Sequence, residues 1–370
     1  MIEISRYEVQ GGVSEYHVMI HVDNPRLAYA EQVKSVLSAY TQLLEGELKG
    51  AVTVLKRFFL SDAANQSDYL QTLLVEQEAC PLSIVEQSPL NGTKIALWAY
   101  LQKGVELKAL SHGMYEVKHG AYRHLWMAGA CHETSDAEAQ TRQLFDDYIT
   151  LLREQGCTLA ENCLRTWFFV QNVDVNYAGV VKARNEVFAT QNLTNQTHFI
   201  ASTGIAGRHA NHHVSVLMDA YAVQGIRQEQ IRYLYAPTHL NPTYEYGVSF
   251  ERGTAVDYGD RRQVFISGTA SINNKGEVVH PGDICNQTLR MWENVEVLLA
   301  EAECTFEHVS HLIVYLRDVA DYIVVKEMFD ERFPNIPKVY LLAPVCRPGW
   351  LIEMECMAVK TIHNERFSAY

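Results

Sequence analysis

Gln287-Thr288-Leu289-Arg290-Met291-Trp292-Glu293-Asn294-Val295-Glu296-Val297-Leu298-Leu299, followed by His311-Leu312-Ile313-Val314-Tyr315, decides the fold, because the same pattern recurs twice upstream. Gln140, Leu151-Leu152 and Leu164-Arg165-Thr166-Trp167-Phe168 form one earlier copy. Gln32, Leu43-Leu44 and Lys56-Arg57-Phe58-Phe59-Leu60 form the other. The glutamine and the leucine pair keep one spacing in all three, a regularity that marks an internal repeat of one supersecondary unit.

Each copy predicts strands, a helix, a strand, a second helix and closing strands. In the third copy Gln263 to Gly268 is a short apolar strand, and Asp283 is positioned to cap a helix. Leu289, Trp292, Val295, Leu298 and Leu299 recur at helical spacing, and Val309 to Leu316 is β-branched and aromatic. Ala320 to Phe333 returns to helical spacing before Pro334 and Pro337. Lys338 to Leu342 and Trp350 to Val359 close the unit as strands. The expectation is an α/β (α+β) chain of three tandem units, with bounds 1–108, 109–230 and 231–370, packed as an internal pseudo-trimer. Such a chain is a monomer with internal pseudo-threefold symmetry or the protomer of a higher homo-oligomer.

The chain has 370 residues, a net charge of −13, 48% hydrophobic and 20% charged residues, an ordinary globular composition. The acidic balance argues against nucleic acid and against an anionic membrane surface. No apolar run approaches the length of a membrane span, and the first residues carry no secretory pattern. The eight cysteines include no C-x-x-C pair, which suits reduced thiols in a cytoplasmic protein. Arg208-His209-Ala210-Asn211-His212-His213 has no acidic or cysteine companion at a metal-binding spacing, so it reads as a polar loop, and no cofactor or metal is expected.

Glu353 stands out among the residues that can do chemistry. It lies in the apolar run Trp350 to Val359, and burial raises a carboxyl pKa toward the range a general acid needs at neutral pH. The matching positions in the earlier copies are Leu217 and Ala96, so the fold itself does not require the acid. Glu355 shares its strand face, and Asp219 keeps an acid at the same place in the second copy, which points to structure. Arg165, Arg184, Arg252 and Arg347 each sit in or beside apolar sequence, and several convergent guanidinium forks suit a carboxylate-bearing small ligand. Arg57 stands at the place of Arg165 in the first copy, which suggests that this arginine is architectural.

Phe265-Ile266-Ser267-Gly268, Gly282-Asp283-Ile284-Cys285-Asn286-Gln287-Thr288, Val314-Tyr315-Leu316 and Ile352-Glu353-Met354-Glu355 make the third copy resemble the Rid/YjgF family, the enamine/imine deaminases also called L-PSP endoribonucleases. The resemblance implies active clefts between units and a water-positioning role for Glu353. The family's arginine after a proline falls on Lys338, following Pro337. From about residue 50 to 359 the chain also resembles the chorismatases, through Arg165-Thr166-Trp167, Tyr177 with Arg184, and Ser202-Thr203-Gly204-Ile205. Ser249-Phe250-Glu251-Arg252, Ile266 to Ser271, His280 to Asp283 and Cys346-Arg347 with Glu353 continue the match. It departs at Tyr244-Glu245-Tyr246-Gly247-Val248, where that family has a Pro-Arg turn. This second resemblance implies cofactor-free hydrolysis of an enolpyruvyl ether with release of pyruvate. Glu353 is then the general acid, and Arg165, Arg184 and Arg347 hold carboxylates. Cys346, Tyr177, Arg252, Thr203 and Gly204 complete the implied site. Three functions follow: a chorismatase-like hydrolase of a small anionic metabolite, a Rid-type deaminase, or a non-catalytic metabolite-binding protein.

Overall fold

The computed structural model describes residues 1–75, 77 and 79–370 and builds three sheets from three copies of one topology. The first unit runs β1 (Ile2–Tyr7), β2 (Ser14–His21), α1 (Tyr29–Glu45), β3 (Val52–Leu60), α2 (Ala63–Leu74), β4 (Leu82–Glu86), β5 (Ser88–Pro89) and β6 (Ile95–Lys103). The second runs β7 (Glu106–Ala109), β8 (Met114–His119), β9 (Tyr122–Cys131), α3 (Ala137–Glu154), α4 (Leu159–Asn162), β10 (Cys163–Val170), α5 (Val173–Thr190), β11 (Ala201–Ala206) and β12 (Val216–Gln224). The third runs β13 (Ile231–Leu234), β14 (Gly253–Asp257), β15 (Arg261–Ala270), α6 (Ile284–Glu301), β16 (Val309–Leu316), α7 (Tyr322–Arg332), β17 (Lys338–Leu342) and β18 (Ile352–Thr361). β7 pairs in the second sheet, so the seam expected after residue 108 falls inside a strand.

The sheet orders are β1-β2-β6-β3-β4, β11-β10-β12-β9-β8-β7 and β13-β14-β15-β18-β16-β17-β5. In each, the last long strand is inserted antiparallel between the strands on either side of the first helix. The repeated glutamine explains why that insertion recurs. Gln32, Gln140 and Gln287 are fully buried at the starts of α1, α3 and α6. Each side-chain oxygen accepts the backbone N–H that opens the inserted strand: Lys94 at 2.8 Å, Ser215 at 2.7 Å and Leu351 at 2.9 Å. Each amide nitrogen donates to loop carbonyls, of Leu27, of Thr134 and His213, and of His280 and Gly349. One buried amide thus closes loops that would otherwise orphan several backbone groups.

Counting from these anchors aligns Ala96, Leu217 and Glu353, and then Trp98, Asp219 and Glu355. The ladders then correct one sequence-based equivalence. Arg57 pairs with Trp98 and Trp167 with Asp219, whereas Arg165 pairs with Tyr221. Arg57 therefore corresponds to Trp167, and Leu55 is the counterpart of Arg165. Strand spacing slipped relative to helix spacing, because the connection from helix to strand is two residues longer in the second unit, where it holds α4.

Alternation along each strand sends one set of side chains to the helices and the other to neighbouring sheets. On β10, Phe168 and Val170 join the core under α3 and α5, while Leu164, Trp167 and Phe169 join a core shared by all three units. Charges cross that shared core in sequence. Asp219 of the second unit receives Arg57 of the first at 2.7 Å, and Glu355 of the third receives Arg165 of the second at 2.6 Å. At the remaining junction Glu15 of the first unit receives Arg261 of the third at 2.6 Å, and Trp98 packs on His311 with ring centroids 4.4 Å apart. Backbone pairing ties the same seams, through β5 on β17 and through isolated bridges Ala201–Glu251 and Ile205–Val345. Among the described residues no helix is long and apolar enough to cross a membrane.

Removing one partner of a fully buried pair leaves an uncompensated charge. Arg57→Met should destabilise the protein by about 3–5 kcal/mol. Arg57→Met with Asp219→Asn, which keeps an acceptor for the Gly129 N–H, should recover most of the loss. Urea unfolding of both variants checks this, and equal midpoints would refute the pairing account.

Candidate active site

Glu353 and Glu355 lie two residues apart on β18 and face the inter-sheet side together, but their surroundings differ completely. Glu355 is saturated. Its oxygens receive Arg165 Nη2 at 2.6 Å, Trp167 Nε1 at 3.0 Å and Tyr315 OH at 3.1 Å, and Thr203 Oγ1 makes a further short contact. Glu353 is 5% exposed, and its carboxyl makes no hydrogen bond with any described residue. Burial, with Glu355 on the same face, pushes its carboxyl up to about 8, against the opposing pull of Arg165 and Arg252. It is therefore a protonated acid at neutral pH with no protein partner for its proton.

The space around it is a cavity of about 40 Å³ at the seam of the second and third units. The second unit supplies Tyr177 and Arg184, two turns apart on α5, with Ser202 and Gly204 from β11. The third supplies Tyr246, Phe250, Arg252, Gly268, Cys346, Arg347 and Trp350. Two glycines make the room. A Cβ at Gly204 would stand 2.6 Å from the Tyr177 ring, and one at Gly268 would lie 2.8 Å from Glu353 Cδ and overlap its oxygen. Gly268 sits where the β15–β18 ladder shifts register, and its missing side chain leaves the space that the acid occupies.

Three guanidinium groups converge on this cavity. Arg184 is 1% exposed, and its Nε and Nη2 have no hydrogen-bond partner. Arg252 donates through Nη2 to Asn241 and leaves Nε unpartnered between the rings of Tyr246 and Phe250. Arg347 stacks on Tyr246 and Trp350, with its guanidinium 4.7 and 5.2 Å from the ring centroids. Cys346 is a neutral thiol, since burial and then the Glu353 carboxyl push it up to about 12. Burial likewise raises Tyr177, which stays a phenol. Outside Tyr177, Tyr246, Val248, Cys346 and Arg347 lies a second space of about 510 Å³ that shares these residues as its inner wall.

Seven of the nine residues expected from sequence line the cavity. Arg165 and Thr203 do not: both lie behind its wall, bonded to Glu355 and to each other. The guanidinium expected to hold a ligand carboxylate instead neutralises a protein carboxylate, because Glu355 is the nearer and better-fixed anion. Lys338 is also elsewhere, its ammonium donating to the Phe333 and Ile336 carbonyls beyond α7. Tyr246, Phe250, Gly268 and Trp350 are cavity residues that sequence did not single out. Only Gly268, ending an apolar strand, carried a local signal. Segment 208–213 folds on itself through Asn211 N–H to His209 and His213 N–H to Asn211. Among the described residues no three metal-ligating side chains gather.

The sequence profile described as Endoribonuclease L-PSP matches residues 253–360, the span that holds β15, β18 and Glu353. A RutC family protein of Pyrococcus abyssi is 35% identical over 100 residues, 26% of this chain and 78% of that protein. The chain belongs to the RutC/L-PSP family. The 3-aminoacrylate deaminase RutC of Acinetobacter baylyi is 31% identical over 97 residues, 26% of this chain and 77% of that protein. A chorismatase crystal structure matches 95% of this chain and 100% of its own with a TM-score of 0.68 and 18% identity, so the family member here has the chorismatase fold.

The raised Glu353 carboxyl has a thermodynamic consequence. In the unfolded chain it loses its proton near the ordinary value of 4.5, and in the native chain near 8. Between those values the native state binds more protons, so this group's contribution to stability falls as pH rises through the window and is flat outside it. Glu353→Gln should therefore gain on the parent by about 1.4 kcal/mol per pH unit from pH 5 to 8. Chemical denaturation at three pH values measures it, and a pH-independent difference would show an unshifted carboxyl.

Proposed function

We propose that this protein is an enzyme acting on a small anionic metabolite, with Glu353 as the general acid. The observation that carries the reading is an uncommitted, protonated carboxyl facing the same cavity as Arg184, a buried guanidinium with two unpartnered nitrogens. An unpaired buried cation is costly unless an anion arrives to meet it. The best-supported chemistry is hydrolysis of an enolpyruvyl ether, as the likeness to a chorismatase suggests.

In that reaction Arg184 and Arg347 hold the substrate carboxylates. Glu353 protonates the enol-ether methylene carbon, and positive charge develops at the ether carbon. Water adds there, its proton returns to Glu353, and the hemiketal breaks into pyruvate and an alcohol. In the last step the ether C–O bond breaks as the hemiketal hydroxyl proton passes to the departing oxygen, so the whole sequence is proton transfer, addition of water and C–O cleavage, and the balance needs no redox partner. Substrate reaches Glu353 from the outer 510 Å³ space, which requires Tyr246 and the 346–347 turn to yield. The low-dielectric pocket that raises the carboxyl also strengthens each guanidinium contact.

A second reading is an imine or enamine deaminase, favoured by the 31% identity to a 3-aminoacrylate deaminase over 97 residues. Glu353 would then position the water that adds to the imine carbon, and ammonia would leave. Incubation with chorismate and with 3-aminoacrylate, assayed for pyruvate and for ammonia, separates the two. Pyruvate from chorismate is expected, lowered at least about 1000-fold in Glu353→Gln. Turnover should decline above pH 8, as the acid ionises. Arg184→Met should raise KM about tenfold or more through the lost charge-assisted bonds. Ammonia without pyruvate would replace the first reading by the second, and binding without either product would end both.

A further inference from the structure

A different cavity, of about 400 Å³, opens on the far side of Phe250 and Arg252. Its volume lies within the range of small-molecule sites. Glu251 lines it, 5% exposed. Glu251 Oε1 accepts the Phe199 N–H at 2.7 Å, and Oε2 takes no hydrogen bond from any described residue. Arg252 lines it too, 4% exposed, with Nη2 on neutral Asn241 and Nε unpartnered. The two side chains form no ion pair with each other or with any other described residue. A buried carboxyl and a buried guanidinium therefore share one cavity; they feel each other's charge, and neither has an ion-pair partner in contact among the described residues. Phe199, Phe250, Tyr235 and Tyr244 wall it with rings, and Tyr235 and Tyr244 are 46% and 48% exposed at its mouth.

We propose that this cavity is a second ligand site, built for a small zwitterion with an apolar body, an α-amino acid or its close analogue. The ligand ammonium would meet Glu251 Oε2 and its carboxylate the edge of the Arg252 guanidinium that lines this cavity, satisfying both charges at once, while the rings enclose the side chain. A purely cationic ligand would face Arg252, and a purely anionic one would face Glu251, so only opposite charges on one molecule suit both. Glu251 resists ionisation in the empty cavity, since burial pushes it up to about 7. A bound ammonium supplies the missing partner. The shared wall of Phe250 and Arg252 sets this site beside the Glu353 cavity without making it part of that cavity.

Calorimetric titration of the full chain with L-phenylalanine, 2-phenylethylamine and 3-phenylpropionate tests the idea, since the three share a ring and differ in charge. Phenylalanine should bind, and each singly charged analogue should bind at least about tenfold more weakly. Glu251→Gln keeps an acceptor for the Phe199 N–H, so it should fold, and it should lower phenylalanine affinity at least about tenfold. Tyr244→Ala at the exposed rim should weaken binding too, and Glu353→Gln should leave it unchanged. Equal binding of all three probes, no phenylalanine binding below about 10 mM, or loss in Glu353→Gln in place of Glu251→Gln would overturn the proposal.

Discussion

The inter-unit ion pairs fix the rest of this structure. Three sheets that each hide one face under helices must hide the other against their neighbours, and that common face is not purely apolar. Arg57 on Asp219 and Arg165 on Glu355 each join consecutive units through fully desolvated charge. Such pairs are poor sources of net stability but strongly directional. They hold each sheet at one angle and register relative to the next, as apolar packing alone would not.

The candidate site is a by-product of where those pairs are satisfied. Strand alternation puts two carboxyls of β18 on the same inward face, and the second unit offers one arginine, one tryptophan and one threonine to Glu355. Nothing remains for Glu353. Its neighbour is an anion, its strand is buried and its room is kept open by Gly268. The equivalent inward positions of the other units hold Ala96 and Leu217, and at the second of these seams Gly129 is packed against the Leu82 backbone, its absent Cβ within 2.7 Å of that carbonyl. One seam of this topology thus has the chemistry of a cleft, while another has become core.

The buried charges divide into those that are matched inside the protein and those that are not. Arg57, Arg165, Arg261, Asp219, Glu15 and Glu355 are matched, and they build the scaffold. Arg184, Arg252, Glu251 and Glu353 are not, and all four line cavities. An unmatched buried charge raises the free energy of the folded chain, and a ligand of complementary charge lowers it again. That contrast, more than any single motif, distinguishes the proposed ligand-facing residues from structural ones here.

How much was legible in advance follows the range of each interaction. The glutamine, leucine-pair and strand repeat is local, so the three units, their element order and the alignment of Glu353 with Leu217 and Ala96 could be read from the chain. Burial of Glu353 was also legible, because an acid inside an apolar strand has nowhere polar to go. The role of Arg165 was not, since whether a guanidinium faces a ligand or a protein carboxylate depends on which carboxylate lies across the seam. Nor was the equivalence of Arg57, because two extra residues between α3 and β10, in the connection that holds α4, break the spacing that a linear comparison assumes. Tyr246, Phe250 and Trp350 reach the cavity from segments distant in sequence from α5. The amino-acid order by itself determined three like modules and one displaced acid; only their packing decided which arginines stayed without a partner, because charge pairing across a seam is set by distance in space and not along the chain.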